Sequence, residues 1–254
     1  MYDLERQEKI LQILKEDKSV SVNKLSSTLF VSHSTIRRDL SRMEQKGLAV
    51  RTFGGVILAP SQSNKEISFE LRENSNLSEK RSLCQKASQL IKDNTTIFLD
   101  SSTTLLPLVP YLNNFSRLVI ITNGLFIANE IINNTKHQVI LPGGLIQPNT
   151  NSMLGSLTLK SLEGFHCETC LISSSAFDLD FGISETSLDQ GDVKRTMIKN
   201  SDQVIALIDA SKLGKKSLYK TCGIDDIDVL ITDGQLDDDY LVVLKKNNVT
   251  LIKA

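Results

Sequence analysis

Seven short apolar runs separated by stretches of helical character constrain this chain most: 95–100, 118–123, 139–142, 170–174, 204–209, 229–233 and 249–252. Each reads as a strand buried on both faces, with helices filling the gaps. Such strands, alternating with helices, specify a mainly parallel α/β sheet whose ligand crevice lies at the carboxyl ends of the strands.

Polar or glycine-rich loops recur at that end. The first, Asp100-Ser101-Ser102-Thr103-Thr104, enters a helix, where backbone amides, hydroxyls and the helix dipole could hold a phosphate. Thr122-Asn123-Gly124 is the second and Pro142-Gly143-Gly144-Leu145 the third, its glycines letting a ligand approach the main chain. Two cations are candidates to join them, Lys194 on the helix before the fifth strand and Lys212 in Asp209-Ala210-Ser211-Lys212. Taken singly, these are a helix cap, a turn, a hairpin and two solvated lysines. Their convergence on one sheet edge points instead to an anion site.

The N-terminal residues follow a different period. Ile36, Leu40 and Met43 fall at the i, i+4, i+7 spacing of one apolar helix stripe, Ser32 is a good N-cap, and His33, Ser34, Arg37 and Arg38 lie off the stripe. Upstream, Arg6, Ile10 and Leu14, then Val22, Leu25 and Leu29, mark two more short helices, the second starting at a Ser21 cap. The tight turn around Phe30-Val31 makes a helix-turn-helix whose second helix enters a DNA major groove. After Gly47, a plausible C-cap, residues 48–58 hold two β-prone runs around Gly54-Gly55, which read as a wing. The contact set expected on DNA is His33, Ser34, Thr35, Arg37 and Arg38 from the helix with Arg51, Gly54 and Gly55 from the wing. An arginine pair alone is usually a solvated face; three helices, a capped segment and a wing in this order outweigh that reading.

At 254 residues and 40% hydrophobic content the chain can fill a second core beyond a small DNA-binding module. Its net charge of −1 divides unevenly, +3 over residues 1–58 and −4 over the rest. So modest a positive balance makes DNA affinity depend on where the charges point. The polar, proline-containing stretch 59–65 fits a linker, and 78–93 resumes as an amphipathic helix. The expected organisation is therefore 1–58 DNA-binding domain, 59–75 linker region, 76–254 α/β domain. Without a basic-then-apolar leader or eighteen consecutive apolar residues, the expected location is cytoplasmic, with no membrane partner. Cys167 and Cys170, preceded by His166, lack a second ligand pair at zinc-like spacing, and Cys170 opens an apolar run; the reading is structural, with no metal and no cofactor.

Arg6-x3-Ile10-x3-Leu14, Ser34-Thr35-Ile36-Arg37-Arg38-Asp39-Leu40, Gly47-Leu48 and Arg51-Thr52-Phe53-Gly54-Gly55-Val56 resemble the winged helix of the DeoR family of bacterial transcriptional regulators. The remainder resembles that family's effector domain, similar to ribose-phosphate isomerases and CoA transferases, at Asp100 to Thr104, Thr122-Asn123, Gly143-Gly144-Leu145, Gly155, Lys194 and Asp209-x-Ser211-Lys212. Two departures stand out: Ser102 where the family pattern has glycine, and Gln190-Gly191 where it has Glu-Ala. The resemblance implies a regulator, a repressor of a sugar or polyol utilisation operon, with three partners. These are a double-stranded DNA operator, a phosphorylated sugar or related effector, and further copies of the chain in a dimer or tetramer. A second reading is a sugar-phosphate isomerase-like enzyme with a DNA-binding head, its base drawn from Asp100, Asp178 or Glu185. In a third, the C-terminal domain only oligomerises.

Overall fold

The computed structural model describes residues 3–17, 19–45, 48–52, 55–58 and 69–254, and the chain divides into two units, Met1–Ser75 and Asn76–Ala254. The first unit runs α1 (Asp3–Asp17), β1 (Ser19–Ser21), α2 (Val22–Leu29), α3 (His33–Gln45), β2 (Ala49–Thr52), β3 (Gly55–Leu58) and α4 (Phe69–Asn74). Its strands form an antiparallel sheet in the order β1-β3-β2. β1 is absent from the sequence reading because three residues are too few to display a period. Helix α4 lies within the expected linker 59–75; its Phe69 is buried. Gly47, Gly54 and the 59–65 stretch lie outside the described residues.

The helical stripes meet in one core: Ile10 and Leu14 of α1, Val22, Leu25 and Leu29 of α2, Ile36, Leu40 and Met43 of α3, closed by Val20 and Val56. Each fully buried aliphatic side chain contributes about 1.5–3 kcal/mol. Both caps form. Ser21 Oγ accepts from Lys24 N at 3.1 Å, and Ser32 Oγ accepts from Thr35 N at 3.2 Å. Between them Phe30 ends α2 in the left-handed region, at φ 55°, and Val31 N donates back to the Ser26 carbonyl. Inside the core, Arg6 forks onto Asp39, Nε to Oδ2 at 2.5 Å and Nη2 to Oδ1 at 3.1 Å.

The second unit continues α5 (Leu77–Ser88), β4 (Thr96–Leu99), α6 (Val109–Leu112), β5 (Val119–Thr122), α7 (Leu125–Asn134), β6 (Gln138–Ile140), β7 (Leu145–Gln147), β8 (Ser152–Leu154), α8 (Ser156–Leu162), β9 (Cys167–Ile172), β10 (Ala176–Asp178), β11 (Gly182–Glu185), α9 (Leu188–Lys199), β12 (Ser201–Leu207), β13 (Tyr219–Cys222), β14 (Val229–Thr232), α10 (Asp238–Lys246) and β15 (Thr250–Lys253). The seven apolar runs correspond to the seven strands of one wholly parallel sheet, ordered β15-β14-β12-β9-β4-β5-β6. Alternation along each strand divides the burial between two cores. Ile97, Leu99, Leu171, Ile205 and Leu207 pack with α5, α6 and α7, whereas Phe98, Cys170, Ile172, Val204 and Ala206 pack with α8, α9 and α10. The order runs outward from β4 through β5 to β6, and from β9 through β12 and β14 to β15. The sheet therefore reverses between β4 and β9, which is where an open α/β sheet opens its ligand crevice. The antiparallel sheet β10-β11-β13 and the hairpin β7-β8 supplement it.

Candidate functional site

On α3 the buried stripe leaves His33, Ser34, Arg37 and Arg38 exposed, while Thr35 is half-buried with its hydroxyl 2.9 Å from Ser32 Oγ. Arg51 is exposed on β2, and its guanidinium is held: Nη1 donates to Ser41 Oγ at 2.8 Å, while its backbone N donates to Glu44 Oε1 at 3.1 Å. Two α3 residues thus fix a wing arginine, a link that lies ten and seven positions apart and has no periodic signature. Gly55 has a packing reason of its own. A Cβ there would lie 2.6 Å from the Val20 carbonyl oxygen, so glycine is what lets β3 close on β1.

At the strand ends, Asp100 joins β4 to β9. Its Oδ1 accepts from Ser102 N at 2.7 Å and its Oδ2 from Ser173 N at 2.9 Å. Lys194, from α9, lies 3.1 Å from the same Oδ2, donates to the Ser173 carbonyl at 2.7 Å and pairs with Glu185 of β11. Burial disfavours its charge, but Asp100 and Glu185 outweigh that and raise its pKa. Lys212 reaches Asp209 Oδ2 at 3.0 Å, Thr104 Oγ1 at 3.0 Å and Ser173 Oγ at 2.8 Å. Burial acts to raise the Asp209 pKa, yet Lys212 and Ser211 hold it below the usual value. On α5, Lys80 is buried and donates to Thr103 Oγ1 at 3.2 Å.

The neighbouring loops are tied in. Ser101 Oγ contacts Gln190 Oε1 at 3.5 Å, and Gln190 Nε2 donates to Ser152 Oγ at 2.7 Å, so one amide spans the β4 loop and β8. Thr122 Oγ1 accepts from Gly124 N, and Asn123 Nδ2 donates to the Met153 carbonyl. A Cβ on Gly144 would meet Thr158 Oγ1 at 2.0 Å, whereas one on Gly143 meets nothing within 4 Å. The departure at Gly191 has a local cause: a Cβ there would lie 2.4 Å from the Tyr219 ring. That ring is held by Arg195, 5.0 Å over its centre, and its hydroxyl donates to Asp192 Oδ1 at 2.7 Å.

The structure thus brings Asp100 to Thr104, Lys194 and Lys212 into one bonded network, with Thr122 ending β5 and Asn123, Gly143 and Gly144 on the loops that follow β5 and β6. Sequence reasoning did not reach Lys80, Ser152, Ser173, Glu185 as an ion-pair partner, or Gln190 as a bridge. Position at a strand end was the available signal for Ser173 alone. All four cysteines are buried and unpaired, and burial pushes the Cys84, Cys167 and Cys222 thiols up to about 12. Among the described residues no His, Cys, Asp and Glu group is arranged to hold a metal ion, and no helix is long and apolar enough to cross a membrane.

A winged helix with an exposed arginine face, carried on one chain with a parallel α/β unit, defines a DNA-binding transcription regulator. Residues 6–62 match the DeoR-like helix-turn-helix domain and residues 75–234 the DeoR C terminal sensor domain, and the chain belongs to the DeoR family. It is 36% identical to the HTH-type transcriptional regulator GolR of Listeria innocua over 93% of both chains. It is 33% identical to the HTH-type transcriptional repressor GlcR of Bacillus subtilis, over 99% of this chain and 96% of that one. The glycerol-3-phosphate regulon repressor of Escherichia coli is 28% identical over 99% of both. Among solved structures, ribose 5-phosphate isomerase from Methanocaldococcus jannaschii aligns over 55% of both chains at 14% identity, with a TM-score of 0.41.

Proposed function

We propose that this regulator is a repressor of a sugar or polyol utilisation operon, and that a phosphorylated sugar or related compound binding at the strand ends of the C-terminal unit releases it from double-stranded DNA. The observation that carries the DNA side is the exposure of Arg37 and Arg38 on the face of α3 opposite Ile36, Leu40 and Met43. Arginine suits both guanine O6/N7 and phosphate, and Ser34, His33, Thr35 and the held Arg51 complete the contact set. Gly55 opens the second wing strand, and Gly54 completes the expected contact set from outside the described residues. The relatives' names, a glycerol-3-phosphate regulon repressor among them, support the class of operon and effector.

On the effector side, the network from Asp100 to Lys212 sits where the sheet order reverses, with Ser101, Ser102, Thr103 and Thr104 at the entry, Thr122 and Asn123 beside it and Gly143 and Gly144 beyond. Lys194 and Lys212 supply positive charge and pair with Asp100, Glu185 and Asp209; an arriving phosphate competes with those carboxylates for the lysines. That competition is a differential interaction between two states, which is what a ligand needs in order to shift them. The C-terminal unit assembles copies into a dimer or tetramer, presenting paired winged helices to spaced half-sites. The chain works without turnover. Each carboxylate available as an isomerase base already accepts several donors: Asp100 from Ser102 N, Ser173 N and Lys194, Glu185 from Lys194 and Ser175 Oγ, Asp178 from the backbone of Asp180 and Phe181.

The test is fluorescence anisotropy of the full chain on DNA from its own upstream region, at fixed salt, titrated with a panel of sugar phosphates. Specific binding that one compound weakens is the expected result. Equal affinity for that DNA and a scrambled duplex at every salt concentration overturns the reading, and ribose 5-phosphate turnover would replace it with the enzyme.

A further inference from the structure

Residues 138–159 contain no charged side chain, and 118–159 contain only Glu130 and Lys136, in a chain that is 23% charged. Burial accounts for part of this, since β5 and β6 lie in the parallel sheet. It does not account for the hairpin β7-β8, because residues 143–146, 148 and 149 are exposed. An exposed segment of that length ordinarily carries lysine or glutamate. Here it carries Leu145 and Ile146, the first 70% exposed, with Leu157 at the same 70% just beyond β8. Such a neutral, apolar surface marks a place where another molecule sits.

Hydrogen bonds tie these residues together. Thr158 Oγ1 donates to the Gly143 carbonyl at 3.0 Å, which sets Leu157 beside the start of β7. At the other end of the hairpin Leu125 N donates to the Asn151 carbonyl at 2.8 Å, so the exposed Leu125 and, on the same face of α7, Ile132 extend the apolar surface. β8 is held on both sides, by β7 and by the β5 loop, where Met153 N donates to the Asn123 carbonyl and Gly124 bridges to Ser152. β7 has no second strand among the described residues, so its outer edge is left open beside its apolar side chains.

The occupant follows from the missing charge and the open edge. A partner of either charge finds nothing here to pair with. A two-fold contact between identical chains sets each group near the axis against its own copy, where a lysine or glutamate would meet a like charge and a leucine meets a leucine. Interface cores are depleted in charge accordingly. A strand edge is self-complementary under the same symmetry, because antiparallel pairing about a two-fold axis sets β7 beside its own copy. Pro148 follows with no N–H to give, so the pairing ends with β7 and the contact closes on two copies. We propose that the hairpin β7-β8, with Leu125, Ile132 and Leu157 around it, docks on the same surface of a second copy of this chain, β7 against β7. The inference rests on the reading of the C-terminal unit as the one that assembles copies, and it adds the surface that does so.

Sedimentation equilibrium on the full chain tests it, with Leu145→Asp and Leu145→Lys each run alone and then mixed in equal amounts. Each variant alone should keep the wild-type circular dichroism spectrum and fall to half the wild-type mass. The mixture should return to the wild-type mass, because aspartate then faces lysine across the axis; neither misfolding nor docking on an unlike surface produces that recovery. Val242→Asp is the control. It places a charge on a side chain 65% exposed on α10, where Asp238, Asp239, Lys245 and Lys246 already supply charge, and it should keep the wild-type mass. Wild-type mass in both Leu145 variants, or a dissociation that mixing does not reverse, overturns the surface and leaves the assembly of copies standing. A wild type that is monomeric at every concentration overturns both.

Discussion

The recognition helix and the strand-end site both carry their positive charge on lysine or arginine, yet they hold it in opposite ways. On α3, Arg37 and Arg38 are exposed. At the strand ends Lys194 and Lys212 are enclosed, each within bonding distance of at least three oxygens. A surface that must meet many phosphates benefits from charge already in water, whose counterions are released on contact. A site that must respond to one small molecule benefits from charge already balanced, because the ligand then has something to displace. The first unit also contains the second arrangement, in Arg6 and Asp39, where the pair is buried within the core.

The largest expected effect tests that last distinction. Arg6→Ala leaves the Asp39 carboxylate buried without its guanidinium, a loss of about 3–5 kcal/mol. Thermal melts should show the first unit unfolded or nearly so, and specific DNA binding gone, although Arg6 is buried in the core. A variant that melts like the wild type would mean that Asp39 finds water, and the contrast between sealed and exposed charge in this unit would collapse.

Lys194→Met is next. It strands Asp100 and Glu185 together and should cost the second unit about 3–5 kcal/mol at neutral pH. The sign with pH is distinctive. Because the Lys194 pKa is raised in the folded chain, its contribution is complete below its ordinary value of 10.5 and is lost as pH rises through the folded value. Wild-type stability should therefore fall at strongly alkaline pH, and the variant should lack that component. On acidification the variant should regain stability, because protonating one of two adjacent buried carboxylates relieves their mutual repulsion. In both proteins the depressed Asp209 pKa acts in the opposite sense, its contribution being complete above the ordinary value and lost as the pH falls through the folded one. Melting temperature against pH for both proteins reads these differences directly; parallel curves would show that Lys194 is not the counter-charge.

The two regions also differ in how much the sequence discloses. Amphipathic stripes at Ile36, Leu40 and Met43 and the caps at Ser21 and Ser32 are local, so the helices of the first unit and the exposure of Arg37 and Arg38 follow from spacing alone. The seven parallel strands are equally legible, because burial on both faces leaves uninterrupted apolar runs. β1, β10 and β11, of three or four residues each, do not reach a period, and Glu185 becomes visible as a partner of Lys194 only once β11 is placed. On sequence alone Lys194 resembles any solvated helix lysine; only the position of α9 buries it. Asn123 was legible as a strand-end polar residue, whereas its unpartnered oxygen depends on the hairpin that brings Met153 to its amide.

If exposed charge is what binds DNA, Arg37→Ala and Arg38→Ala should leave melting temperature unchanged and weaken operator binding by about 1–3 kcal/mol each. Salt dependence then separates them. The arginine on phosphate weakens all sequences alike and lowers the salt slope by about one, while the arginine on a base relaxes specificity at one position. Anisotropy at several salt concentrations on matched and mutated operators resolves the two. If neither variant moves affinity, α3 is not the recognition helix.

The smallest effect concerns Phe30, which sits in the left-handed region in the turn before α3 with 93% of its surface exposed. Phenylalanine has no local hydrogen bond to offset that conformation, whereas asparagine tolerates it. Nothing apolar is lost by replacing a ring already in water, so Phe30→Asn should stabilise the first unit by roughly 0.5–1 kcal/mol. Chemical denaturation gives the stability, and anisotropy on the same protein gives the affinity. Unchanged affinity makes Phe30 a tolerated strain and leaves the arginines as the working surface. A stabler variant that binds DNA less well would show that the turn holds strain in order to present the ring, and the DNA-facing surface would then extend from α3 back across the turn.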